Sequence, residues 1–211
     1  WTDASGNVYG ADASAGVVYK LTPGVVKCVF FTDVAGPFFV SGNSATGDVF
    51  VVDGSNNIYK VSSGGGSGSS LGASSVSAGF VSCGSIAVDA AGNVYVSDKV
   101  SNVIVRVSAD GSSITTVAGV SGSGNVDSGD NGLASAATLN QPSSLYLDEV
   151  SGRLYVVTSS FEVRMIDLSS GVLTTVSGSG VGGNSGNEHV ATSARIEGGG
   201  SITGDGSGNL F

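Results

Sequence analysis

The sequence predicts an all-β chain, a β-propeller of four-stranded antiparallel blades, and three observations predict it. A degenerate phrase recurs as Gly6-Asn7-Val8-Tyr9, Gly47-Asp48-Val49-Phe50, Gly92-Asn93-Val94-Tyr95, Gly152-Arg153-Leu154-Tyr155 and Gly208-Asn209-Leu210-Phe211. Its copies start 41, 45, 60 and 56 residues apart. A period of roughly 40–45 residues with strand-like content is that of propeller blades, and the longer intervals fit the same unit with a loop of roughly 15 extra residues. The apolar residues are mostly Val, with Ile, Phe and Tyr, which suit strands. Finally, 35 glycines and abundant serine supply short turns, while 40% hydrophobic content sets the chain apart from a disordered one.

The units read as residues 1–34, 35–79, 80–119, 139–178 and 196–211, in a single domain spanning 1–211. The third is the clearest. Ser85 to Asp89 alternates as an inner strand, Ala90-Ala91-Gly92 turns, and Asn93 to Asp98, Val103 to Val107 and Ile114 to Gly119 follow as strands. In the first unit Trp1-Thr2-Asp3 takes the inner place, before Val8–Asp12, Val17–Leu21 and Val25–Thr32. The second runs through Phe38–Val40, Val49–Asp53 and Ile58–Val61, with a weak outer strand near Ser74–Ala78 after a Ser/Gly tract. The fourth uses Ser144–Asp148, Leu154–Thr158, Val163–Leu168 and Leu173–Gly178. The fifth shows Ser201–Asp205 and Asn209–Phe211. Four full blades and the start of a fifth leave an open blade edge, which predicts a fragment of a longer chain or strands supplied by neighbouring copies.

Charge narrows the partners. Only 8 Lys and Arg stand against 17 Asp and Glu, a net charge of −9. Phosphate binding needs clustered cations, so nucleic acid is not an expected partner. No run of about 18 apolar residues is present, so membrane insertion is not expected either. Low charge with a Ser-, Thr-, Asn- and Gly-rich surface predicts an extracellular or cell-surface setting. No Asn-x-Ser/Thr acceptor occurs, whereas the Ser/Gly tracts admit O-linked sugars.

The stretch Ser108 to Gly119 (SADGSSITTVAG), then Ser128 to Asp148 (SGDNGLASAATLNQPSSLYLD), then GRLYVV resembles the NHL-repeat propellers. In that family a blade ends in a similar ITTVAG run, and a glycine-rich loop leads into the next inner strand. Thr174 to Gly180 and Ala191 to Phe211 repeat the pattern. The resemblance implies an intact propeller of about six blades. The chain departs from the family where an Asn-Arg-Ile-Arg-Lys signature is eroded to Asn102-Val103-Ile104-Val105-Arg106.

Candidate chemistry is sparse. Related propeller enzymes hold a metal in the central channel or use a His/Glu pair. Here the sole histidine, His189, follows Glu188, and this pair is the candidate acid and base, read more simply as a solvated loop pair. The loop Asp127-Ser128-Gly129-Asp130-Asn131-Gly132 spaces oxygen ligands as a calcium loop does but lacks the distal Glu. Asp3, Asp89, Asp148 and Asp205 recur at inner-strand ends, with Asn43 in the second unit. They form either a carboxylate ring able to bind a cation or, as preferred, turn caps that bond the backbone two residues on. Cys28 and Cys83 fall in non-adjacent blades and are expected as separate thiols. The leading expectation is a non-catalytic binding or assembly propeller without a cofactor, joining protein partners or further copies through blade edges. A metal-dependent lyase or hydrolase is the alternative.

Overall fold

The computed structural model describes residues 1–24, 27–32, 34–65, 69–70, 81–186, 190–197 and 200–211. Sixteen strands are formed among them. In chain order they are β1 (Val8–Asp12), β2 (Val17–Leu21), β3 (Cys28–Phe31), β4 (Phe39–Gly42), β5 (Val49–Val52), β6 (Ile58–Val61), β7 (Ser69–Ser70) and β8 (Cys83–Val88). Then follow β9 (Val94–Asp98), β10 (Val103–Val107), β11 (Ile114–Ala118), β12 (Gly132–Leu133), β13 (Leu145–Asp148), β14 (Arg153–Thr158), β15 (Glu162–Asp167) and β16 (Val172–Ser177). They make four sheets, ordered β1-β2-β3, β4-β5-β6-β7, β11-β10-β9-β8 and β12-β16-β15-β14-β13. Every assigned register is antiparallel between sequence neighbours except β12 on β16, as meander turns require. One compact unit takes Trp1–Gly79, Ile86–Val94 and Val107–Ile114; another takes Phe80–Ser85, Tyr95–Arg106 and Thr115–Phe211.

The four sheets fall in the first four units of the sequence, with differences that have physical reasons. Trp1-Thr2-Asp3 makes only the bridge Thr2↔Val8, and the same bridge returns as Gly204↔Leu210 in the fifth unit. The fourth strand of the first unit is observed over Cys28–Phe31, and Val25 and Val26 lie outside the described residues. In the second unit the outer pairing falls at Ser69–Ser70, opposite Lys60 and Tyr59. The expected Ser74–Ala78 strand lies outside the described residues. The fourth unit gains an unexpected fifth strand, because the loop entering it lays Gly132 and Leu133 against Leu173 and Val172. That addition covers part of an otherwise open sheet edge.

The apolar runs form the most deeply buried strands. All four residues of β5 are buried, as are all six of β8 and all five of β9. Burying one Val or Phe side chain contributes about 1.5–3 kcal/mol. In the first compact unit Tyr9, Val18, Phe30 and Phe31 pack with Val49, Val51 and Val61. In the second, Tyr155, Val157 and Ile202 pack with Tyr146, Val163 and Met165.

The Gly that ends each ITTVAG-like run has a packing reason. Gly119 and Gly178 adopt φ of 90° and 91°, outside the ordinary range of L residues. A Cβ on either would collide with the carbonyl of the residue opening the neighbouring hairpin strand, Asn102 or Phe161. Those two carry positive φ themselves, 60° and 61°. Each glycine N–H then bonds the following loop, Gly119 to the Ala134 carbonyl at 2.9 Å and Gly178 to that of Ala191 at 3.0 Å. Thus the two long loops are built alike, each with a short 3-10 turn, Ala134–Ala136 and Ala191–Ser193.

Asn43, 2% exposed, does more than cap its own turn. Its Oδ1 accepts the N–H groups of Ala45 and Thr46, while its Nδ2 donates to the carbonyls of Asp89 and Ala90, both at 3.1 Å. Only an amide can accept and donate in this way. Asn43→Asp is expected to place a carboxylate against two carbonyls and to lower unfolding stability by about 1–3 kcal/mol in urea titrations.

Candidate functional site

The recurring carboxylates are bound into their own turns. Asp3 accepts the N–H groups of Ser5 and Asn7 at 2.9 Å each, the Asn7 amide at 2.8 Å and the Tyr9 hydroxyl at 3.0 Å. Asp89 receives the Asn93 N–H and amide at 2.8 Å each. Asp148 receives the N–H groups of Val150 and Ser151 and the Ser151 hydroxyl. Asp205 receives Ser207, the Asn209 N–H and the Asn209 amide. This is the turn-capping geometry. Hydrogen bonds led by the Asn209 amide hold the Asp205 carboxyl below the usual range, and those led by the Ser151 hydroxyl do the same for Asp148.

A further copy of the motif escaped the sequence reading. Asp53 accepts from Ser55 N–H, Asn57 N–H, the Asn57 amide and the Tyr59 hydroxyl at 2.8, 2.9, 2.8 and 3.0 Å. Contact for contact it repeats Asp3 to Tyr9, but it closes the turn between β5 and β6. The shared pattern Asp-x-Ser-x-Asn-(Val/Ile)-Tyr was its available signal.

The candidate calcium loop is organised by a residue not singled out in the sequence. Arg164, 1% exposed, projects from β15 on the face it shares with Ile166. Its Nη2 lies 2.7 Å from Asp130 Oδ1 and donates to the Ser128 carbonyl at 3.1 Å. Its Nη1 lies 3.5 Å from Asp127 Oδ1 and 3.9 Å from Glu162 Oε2. Asp127 also accepts the Asn140 N–H at 2.8 Å and the Thr158 hydroxyl at 2.5 Å, and Asp130 accepts the Thr175 hydroxyl at 3.1 Å. A guanidinium therefore occupies the place between Asp127 and Asp130 that a cation would take. Among the described residues no group of three His, Cys, Asp or Glu side chains is arranged to hold a metal ion. Its sequence signal was a charged residue at a core-facing position of an apolar strand.

Glu188 and His189 lie outside the described residues. Cys28 is exposed and Cys83 buried, both as free thiols; burial pushes the Cys83 thiol up to about 12, so it is inert at neutral pH. Among the described residues no helix is long and apolar enough to cross a membrane.

One end of the Thr115–Phe211 unit collects the loops. Because the strands are antiparallel, the turn after a blade's second strand and the segment leaving its fourth lie at the same end. Asn102 joins them: its amide donates to the Gly124 carbonyl and Asn125 Oδ1, and its Oδ1 accepts the Gln141 N–H at 2.9 Å. Asp98 likewise gathers the N–H groups of Val81 and Ser82 with those of Val100 and Ser101. On this end Val81, Val100, Val120, Val126, Val181 and Val190 are exposed, Val190 at 70%. Turn tips normally carry Gly, Asn, Asp or Ser, so a set of bare valines there is unusual.

No protein-family model and no curated protein sequence matches the chain. Solved structures do. A protein of unknown function from Bacteroides thetaiotaomicron matches with TM-score 0.76 and 18% identity over 97% of this chain and 52% of its own. A chain of a nidogen/laminin complex matches with TM-score 0.70 and 16% identity over 98% and 67%. The fold is a β-propeller's. Virginiamycin B lyase from Staphylococcus aureus matches more loosely, with TM-score 0.57 and 14% identity over 83% and 53%. The chain spans about half the length of the first and third of these structures.

Arg164→Met is expected to leave Asp127 buried without its cation and to cost about 3–5 kcal/mol in urea unfolding. Acid acts on other carboxylates. Hydrogen bonds led by the Ser108 hydroxyl lower Asp110 to about 2, and bonds led by the Ser169 hydroxyl lower Asp167 to about 2. Their stabilisation is complete above the unfolded value, about 4, and is lost as pH falls toward about 2. The urea midpoint of the Asp110→Asn/Asp167→Asn double variant should therefore fall less steeply over that window than the wild-type midpoint.

Proposed function

We propose that the chain is a non-catalytic binding or assembly module of NHL-repeat type, acting outside the cell or at its surface. It docks a protein partner through the valine-tipped loop end of the Thr115–Phe211 unit. The observation that carries this reading is that set of exposed valines, of which Val81, Val100 and Val126 lie on segments stapled by Asp98 and Asn102. Apolar side chains fixed on a preorganised surface gain contact area without a large ordering cost.

Other features support the same reading. The net charge of −9 opposes a nucleic-acid partner. One structural neighbour is a chain of a nidogen/laminin complex. Asp89, Asp127, Asp130, Asp148 and Asp205 already accept structural hydrogen bonds, so calcium binding would have to displace them. The docking role needs no cofactor, and O-linked sugars on the Ser/Gly tracts are compatible with it.

A photo-cross-linking residue at position 126, compared with one at 150 on the opposite turn, tests the proposal in an extract of surface proteins. Defined protein adducts are expected from position 126 and not from 150. The Val100→Ser/Val190→Ser background should remove them with little change in the thermal midpoint. Equal labelling from both positions, or substrate turnover that depends on an added divalent metal, would overturn the proposal.

A further inference from the structure

Arg164 faces more negative charge than it can match. Asp130 at 2.7 Å and Asp127 at 3.5 Å approach its two terminal nitrogens, and Glu162, two residues before it on β15, stands 3.9 Å from Nη1. Together they hold one positive group among three carboxylates. Among the described residues the other groups packed on Glu162 bring no charge: Thr158 pairs with it from β14, and Gly178 and Gly180 pack against it after β16. The loop that carries Asp127 and Asp130 also carries β12. It is held to β16 and its turn by the Asn131 N–H on the Leu173 carbonyl and the Ala134 N–H on the Gly171 carbonyl, both at 2.8 Å.

We propose that Glu162 makes this Arg164 latch pH-sensitive, so that the loop grips β16 firmly in mild acid and loosens toward neutral pH. The sense follows from the crowding. A neutral Glu162 leaves the guanidinium to Asp127 and Asp130, which then hold the loop. An ionised Glu162 repels both and competes for Nη1. Burial, then the Asp127 charge, pushes the Glu162 carboxyl above its ordinary value, with Arg164 opposing. A raised folded value means the fold favours the protonated form. The grip it provides is complete below the ordinary value of 4.5 and is lost as pH rises through the raised one. Where the loop lifts, the Gly171 and Leu173 carbonyls that accept from Ala134 and Asn131 are released along a free strand edge.

Hydrogen exchange resolved to single amides tests the latch, with each rate corrected for intrinsic exchange. The readout is the protection of the Asn131 and Ala134 amides relative to Ser143 and Val157, which pair inside the same sheet. Between about pH 7 and pH 4.5 that ratio should rise roughly three- to tenfold in the wild type, the size of one partly exposed charge contact. In Glu162→Gln it should stay high and flat. In Asp130→Asn, which keeps the fold's apolar contacts, it should be low at both pH values. An unchanged wild-type ratio, or the same pH dependence in Glu162→Gln, would overturn the proposal.

Discussion

Side chains that close turns onto the backbone are what the rest of this structure depends on. The strands are mostly four to six residues long, so much of the backbone lies at hairpin ends where the ladder runs out. At Asp3, Asp53, Asp89, Asp148 and Asp205 a carboxylate takes up those N–H groups, and an Asn four residues on ties the two strand ends together in all but Asp148. A carboxylate offers acceptors only, which suits a turn whose free groups are all donors. Asn43 shows what changes when the turn must also reach a neighbour, because an amide can donate outward while it caps.

Arg164 does for a long loop what the aspartates do for short turns. A buried guanidinium is costly unless its protons find acceptors, and here the loop brings Ser128, Asp127 and Asp130 to it. Among the described residues its Nε and Nη1 find no hydrogen-bond acceptor. The cluster is therefore tuned to fix the loop's position at some expense of stability. The same loop then supplies β12 to the edge of β16 and carries the exposed Val126, so edge protection and the proposed docking surface share one anchor.

Much of the fold was legible because its signals are local. The Gly-Asn-Val-Tyr phrase holds both a turn and the strand it opens, and Asp89 to Asn93 is a cap within five residues. The preference for capping over a carboxylate ring rested on that short spacing, and the hydrogen bonds follow it. What was not legible acts at a distance. Arg164 meets Asp130 across 34 residues, and nothing beside it in the sequence points there. The β12 addition is just two residues, too short for any periodicity. The pairing of Ser69 and Ser70 with β6 was not legible because a two-residue serine segment carries no apolar pattern. The exposed valines looked like strand residues by type, and only their positions in turns and connecting segments set them apart.

The central claim is that the recurring carboxylates hold turns rather than ligands, and Asp89→Ala tests it most directly. Urea unfolding and calorimetric titration with calcium would be run on the same wild-type and variant samples. The account predicts a loss of about 1–3 kcal/mol in stability, from donors left without their acceptor, and calcium heats that do not differ between the two proteins. Unchanged stability, together with calcium binding in the wild type that the variant loses, would contradict it.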